Sequence, residues 1–199
     1  YNDKMGRVID ELREKNLLVE SEGAQVVDLS EYNMPPALIQ KSDGATLYMT
    51  RDLAAALYRK DTYDFDKCLY VVAYQQDLHF RQLFKVLELM GHEWARGCEH
   101  VAFGMVSFEG EALATRSGHV VYLDELLDKA VEKALAIIDE KSPDLENREE
   151  VARQVGIGAV IFFDLYNSRI KDIDFSWDRA LAFEGETGPY VQYTHARSC

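Results

Sequence analysis

Residues 68–73, Cys-Leu-Tyr-Val-Val-Ala, form an uninterrupted apolar run. A strand with one face in water alternates apolar and polar side chains, so a run without alternation marks a strand buried on both faces, as in a parallel sheet. Just beyond it, Asp77 reads as the cap of a helix over 78–90. Leu83, Phe84, Leu87 and Met90 fall on one side of that helix, and Gly91 stands in the usual C-terminal stop position. A buried strand running into a helix is the repeating element of an α/β domain.

The flanking sequence extends this pattern. Met5, Val8, Ile9 and Leu12 recur at helical spacing over 3–16, and short strands are expected at 17–20 and 24–29, on either side of a Glu22-Gly23 turn. Pro35-Pro36 breaks regular structure; a strand over 45–49, a Thr50 cap and a helix over 51–59 are predicted to follow. A third strand is expected at 101–106, a polar loop over 109–118 and a short strand at 119–122. From Leu123 the pattern is helical only, with helices over 123–140 and 146–167 separated by Ser142-Pro143, and 175–199 mostly helical with a break at 185–189. The chain therefore reads as an α/β domain leading into an α-helical region, with no internal repeat and no Gly/Ser linker.

With 22 Lys and Arg against 35 Asp and Glu, the net charge of −13 speaks against a free-standing nucleic-acid binder, which needs a basic surface. A composition 47% hydrophobic and 11% aromatic excludes a disordered tail. No apolar run approaches the roughly 20 residues of a membrane span. Cys68, Cys98 and Cys199 are dispersed without a CxxC pair, which suits a reducing compartment, and a cytoplasmic location is expected. The chain starts at Tyr1 and ends at Cys199 inside an expected helix, so both ends read as cut from a longer protein.

In an open parallel sheet, ligands bind where strands pass into helices. Residues 46–52 form one such passage, with Tyr48 at a strand end and Asp52 in the first helical turn, four residues later. Residues 73–79 form the other, with Gln76 at the corresponding point and His79 in the first turn. Each residue also has an ordinary structural role open to it. Asp52 could cap its own helix or receive a cation, for which a planar guanidinium is the best match. Tyr48 could be a core aromatic, Gln76 a loop residue, and His79 a surface or core histidine. No Walker loop, HExxH or GxSxG motif is present.

The wording of three segments is more specific. Residues 41–56, KSDGATLYMTRDLAAA, residues 75–80, QQDLHF, and residues 183–197, FEGETGPYVQYTHAR, resemble the signatures of the arginyl-tRNA synthetases, which are class I aminoacyl-tRNA synthetases. The resemblance covers essentially the whole chain. It implies a partial Rossmann-type parallel sheet with flanking helices, followed by an α-helical region. The implied divisions are a helix plus hairpin connective insertion over 1–43, the second half of the catalytic domain over 44–122, a helical connecting region over 123–185 and the start of a helical anticodon-binding domain over 186–199.

By the family pattern, Tyr48, Asp52 and Gln76 line the arginine pocket, Asp52 facing the guanidinium and Gln76 the main-chain end of the amino acid. Asp77 and His79 would lie by ATP, and Met105 and Val106 along the adenine. The implied reaction joins L-arginine to tRNA(Arg) through arginyl-adenylate. ATP enters as its Mg²⁺ complex, without a tightly bound cofactor or a protein-held metal. A monomer is expected, with neither DNA nor membrane as a partner. The family's HIGH signature does not occur in these residues and is expected upstream of Tyr1, so this chain by itself is expected to be inactive. The family's KMSKS loop aligns with 112–118, where Ala112 replaces the first lysine and Thr115, Arg116, Ser117 and Gly118 follow. Arg116 is thereby the catalytic candidate for meeting pyrophosphate. The alternative is a synthetase-derived scaffold that acts only as an interaction module.

Overall fold

Helix α1 (Met5–Glu14) forms where the apolar spacing predicts it, with Val8 and Leu12 fully buried. Strands β1 (Leu18–Ser21) and β2 (Ala24–Val27) then pair antiparallel about Glu22-Gly23. Both turn residues have positive φ, the conformation that lets a two-residue turn follow the strand twist. The computed structural model describes residues 1–112 and 120–199, which divide into two compact units, Tyr1–Phe103 and Gly104–Cys199.

In the first unit, β3 (Ala37–Gln40) adds antiparallel to β2, a strand not expected from the sequence. Pro35-Pro36 ends the preceding structure and leads directly into it. The strand expected at 45–49 does not form. Thr46 makes only an isolated bridge to Gln40, and α2 (Tyr48–Tyr63) begins three residues earlier than predicted. Thr50 is accordingly not a cap: it lies within the helix, wholly buried, and its hydroxyl donates to the Ile39 carbonyl. A short run of mixed apolar residues fits either a strand or a helix start, and here the buried hydroxyl's need for a partner decides.

Strand β4 (Cys68–Ala73) forms as predicted and pairs in parallel with β5 (Cys98–Phe103), Cys68 opposite Cys98 and Tyr70 opposite His100. Burial on both faces does not hold. Leu69 is 54% and Val71 63% exposed, while Tyr70 and Val72 turn toward the core. Tyr70 meets Phe80 and Phe84 of α3 (Asp77–Leu89) at ring distances of 5.1 and 5.4 Å. Asp77 is the first residue of α3 and not its cap, which is Gln76. The predicted stop at Gly91 is realised: Gly91 has φ +85°, its N–H bonds to the Glu88 carbonyl at 2.9 Å, and the His92 N–H bonds to the Leu87 carbonyl at 3.1 Å. Leu12, Leu29, Ile39, Leu53, Leu83 and Leu87 form the core of this unit.

The expected strand over 101–106 is interrupted where the second unit begins, since β5 ends at Phe103 in the first unit and β6 (Val106–Phe108) starts afresh in the second. Gly104 explains the break. Its N–H bonds to the Arg169 carbonyl, and a Cβ there would lie 2.0 Å from the carbonyl oxygen of Lys171. Strand β6 turns through Glu109-Gly110 into β7 (Glu111–Ala112), and pairs in parallel with β8 (Ile173–Phe175). That last strand falls in a region read as helical only, because three residues are too few to show a period. Residues 120–122 form no strand, and His119 lies outside the described residues.

Helices α4 (Leu123–Lys141) and α5 (Arg148–Tyr166) agree with the predicted pair. They meet through small residues, with Ala130, Ala134, Ala152 and Ala159 buried. A short α6 (Trp177–Ala180) precedes α7 (Gly188–Ser198), capped by Thr187, whose hydroxyl oxygen accepts the Tyr190 N–H at 3.2 Å. The α/β class expected from the sequence is thus the class observed, with helices dominating after residue 123.

Two outcomes are expected. A Cβ on Gly156 would lie 2.6 Å from the Ala130 carbonyl oxygen, so Gly156→Ala forces α4 and α5 apart. It should cost about 1–3 kcal/mol in urea unfolding. The Asp174 carboxylate accepts the Ser107 hydroxyl at 2.7 Å and the Gly110 N–H at 2.8 Å, and these bonds hold its carboxyl below the ordinary 3.8. A lowered folded value contributes stability above about pH 3.8 that is lost as pH falls through the folded value. Acid unfolding of Asp174→Asn, followed by circular dichroism, should lack this part of the pH dependence.

Candidate functional site

The earlier start of α2 changes the environment of its polar residues. Asp52 sits in the second turn, where its carboxylate cannot reach the free N–H groups of the helix start, and the cap position is held by Leu47 without a side-chain bond. The capping role open to Asp52 in the sequence is therefore excluded. Its Oδ2 lies 2.7 Å from Nε2 of His79, which comes from the first turn of α3, 27 residues away. A carboxylate can only accept, so the imidazole nitrogen carries the hydrogen.

Tyr48, the first residue of α2, stands one helical turn before Asp52 on the same face. It is 78% exposed and so is not a core aromatic. Gln76 ends the 3-10 turn Tyr74–Gln76 and is exposed at the head of α3. The two passages singled out in the sequence are therefore joined in one unit, through Asp52 and His79, with Tyr48 and Gln76 at the starts of the same two helices.

Asp77 is exposed, with Oδ2 4.0 Å from Arg81 and Oδ1 3.6 Å from Nδ1 of His100. His100 was not anticipated from the sequence. It lies in β5, its side chain is 7% exposed, its Nε2 donates to the Val72 carbonyl at 2.9 Å, and its ring lies over Phe80 at 4.6 Å. The available signal was a lone histidine in a short strand, Cys-Glu-His-Val-Ala-Phe, which by itself indicates no ligand. With His100 beneath it and Phe80 buried, the head of α3 is anchored to the sheet.

Met105 and Val106 belong to the second unit. The Met105 N–H is bonded to Asp172 Oδ1 at 2.6 Å, and Val106 opens β6. Thr115, Arg116, Ser117 and Gly118 lie outside the described residues, and Ala112 ends β7. Among the described residues, no group of three or more His, Cys, Asp or Glu side chains is arranged to hold a metal ion, and no helix is long and apolar enough to cross a membrane.

The electrostatics separate the two ends of the parallel strand pair. At the N-terminal end, burial, reinforced by neighbouring Cys68, pushes the Cys98 thiol up to about 11, so it is uncharged at neutral pH. At the C-terminal end the polar groups are open to water. The side chains of Asp52 and His79 are 41% and 22% exposed, so their contact is worth no more than about 1 kcal/mol to folding. Its chemical consequence is larger. An oriented carboxylate suits a planar cation, since bidentate pairing depends on the plane of both partners.

Residues 1–177 match the family described as tRNA synthetases class I (R), catalytic domain. Over 198 residues, all of this chain, the sequence is 66% identical to the arginine–tRNA ligase of Halothermothrix orenii, and over 199 residues it is 63% identical to that of Clostridioides difficile. The chain spans 35% of the length of these relatives. Among solved structures, the Thermus thermophilus arginyl-tRNA synthetase superposes on 98% of the chain, with a TM-score of 0.79 and 28% identity. That match covers 39% of the Thermus chain. The Plasmodium falciparum arginyl-tRNA synthetase superposes on 99%, with a TM-score of 0.78 and 26% identity, over 34% of its own length. A catalytic-domain match over most of the chain, together with this similarity along its whole length, shows that the chain belongs to the class I (R) tRNA synthetase family.

Proposed function

We propose that this chain is part of an arginine–tRNA ligase and contributes the arginine-recognising portion of its active site. The observation that carries the reading is the fixed Asp52 carboxylate on the same helix face as the exposed Tyr48, in a family whose relatives are named for arginine. In this reading Asp52 receives the guanidinium, Tyr48 lines the pocket beside it, and Gln76 meets the main-chain end of the amino acid. Asp77 serves the nucleotide, and Met105 and Val106 run along its adenine. Residues 44–122 then belong to the second half of the catalytic domain, after the 1–43 insertion; 123–185 connect it to an anticodon-binding domain that starts at 186–199.

The reaction proceeds in two steps. The arginine carboxylate attacks the α-phosphate of ATP, forming arginyl-adenylate and releasing pyrophosphate. A hydroxyl of the terminal ribose of tRNA(Arg) then attacks the carbonyl carbon, forming the ester and releasing AMP. Neither step needs a protein nucleophile; positioning and charge stabilisation suffice. Mg²⁺ arrives with ATP, bound mainly by phosphate oxygens and water. Arg116 is suited to meet pyrophosphate as it leaves. The enzyme works as a monomer in the cytoplasm.

The test uses the full-length enzyme, with arginine-dependent pyrophosphate exchange measured with and without tRNA(Arg). Asp52→Ala should lose about 2–5 kcal/mol of transition-state binding, as when one partner of a buried charge pair is removed. Near-normal arginine charging by that variant would exclude Asp52 from the pocket.

A further inference from the structure

The resemblance assigns His79 to the nucleotide side, yet its Nε2 is 2.7 Å from Asp52 Oδ2. We propose that His79 is a positioning residue for the arginine pocket: its N–H holds Oδ2 of Asp52, so that the carboxylate plane is set before the guanidinium arrives. The inference deepens the reading above, since it takes Asp52 as the acid that meets arginine.

Three features support this. First, His79 reaches only Oδ2 of Asp52, through one ring nitrogen, whereas an Arg in its place could take both carboxylate oxygens and compete with the cationic substrate. Second, His79 is itself held in place. It lies in the first turn of α3, edge-on to Phe80 at 5.3 Å, and Phe80 is buried against Tyr70, Phe84 and His100. The orientation given to Asp52 thus derives from the sheet and not from a mobile surface group. Third, the pair is too open to water to matter much for folding. Its effect falls instead on binding, because an acid already oriented loses less rotational freedom when the ligand docks.

The experiment measures separate KM values for arginine and ATP by pyrophosphate exchange in the full-length enzyme with tRNA(Arg). A hydrogen bond to a charged group corresponds to about a ten- to hundredfold change in affinity, so His79→Leu should raise the arginine KM by that factor, with the ATP KM changing by less than about threefold. His79→Gln, whose side-chain N–H can reach the position of Nε2, should recover most of the lost affinity. In an Asp52→Ala background, His79→Leu should add no further rise in the arginine KM, because its effect passes through Asp52. If His79→Leu does not fold, His79→Ser takes its place, being polar but too short to reach Asp52. A rise confined to the ATP KM, an unchanged arginine KM, failure of His79→Gln to recover affinity, or full additivity with Asp52→Ala would each overturn the proposal. Absence of arginine-dependent exchange in the unmutated enzyme would overturn the functional reading itself, which separates the two failures.

Discussion

The hydroxyl of Thr50 is wholly enclosed, and an enclosed hydroxyl must find an acceptor. It donates to the carbonyl of Ile39, at the edge of the β1-β2-β3 sheet, and this contact, together with the buried apolar face of the helix, seats α2 against β3. The consequences extend along the helix. Leu53, Ala54, Ala56 and Leu57 turn into the core, and Tyr48 and Asp52 are left on the side open to solvent. A shift of one residue would rotate the helix by about 100° and move that pair away from α3.

The second helix is fixed by a different device. Phe80 and Phe84 rest on Tyr70, His100 bonds back to Val72, and the Gly91 stop ends the helix, so α3 is held at both ends. With both helices buried in one hydrophobic core, the Asp52–His79 contact joins two elements that packing already holds in place. A site assembled in this way loses little entropy when a ligand binds, which suits the proposed recognition of a planar cation.

A net charge of −13 is at first sight at odds with a family that handles tRNA. The difficulty lessens once the chain is seen to span 35% of the length of its relatives, because net charge describes these residues and not the surface of those longer proteins. Within the chain, the negative charge is compatible with a cationic amino acid. In the proposed reading, the oriented carboxylate of Asp52 is the group that meets this cation.

Much of the fold was legible wherever a pattern ran for a helical turn or more: α1, α3, α4 and α5, the β1-β2 turn at Glu22-Gly23 and the Gly91 stop all lie where spacing and turn chemistry predict. Short elements without a turn signal such as Glu22-Gly23 were not legible, among them β3, β8 and the end of β5 before Gly104, because three or four residues carry no period and depend on a neighbour's carbonyls. The apolar run at 68–73 correctly specified a strand in a parallel pair, but its two-sided burial does not hold within the first unit. For the site, the sequence by itself determined which side chains were candidates, since the wording around Tyr48, Asp52, Gln76 and His79 resembles the family's signatures. Only the tertiary structure decided that Asp52 cannot cap its helix, that His100 supports the head of α3, and that His79 meets Asp52. Those relations depend on the rotation of one helix against another, and that rotation is set by packing between residues far apart in the chain.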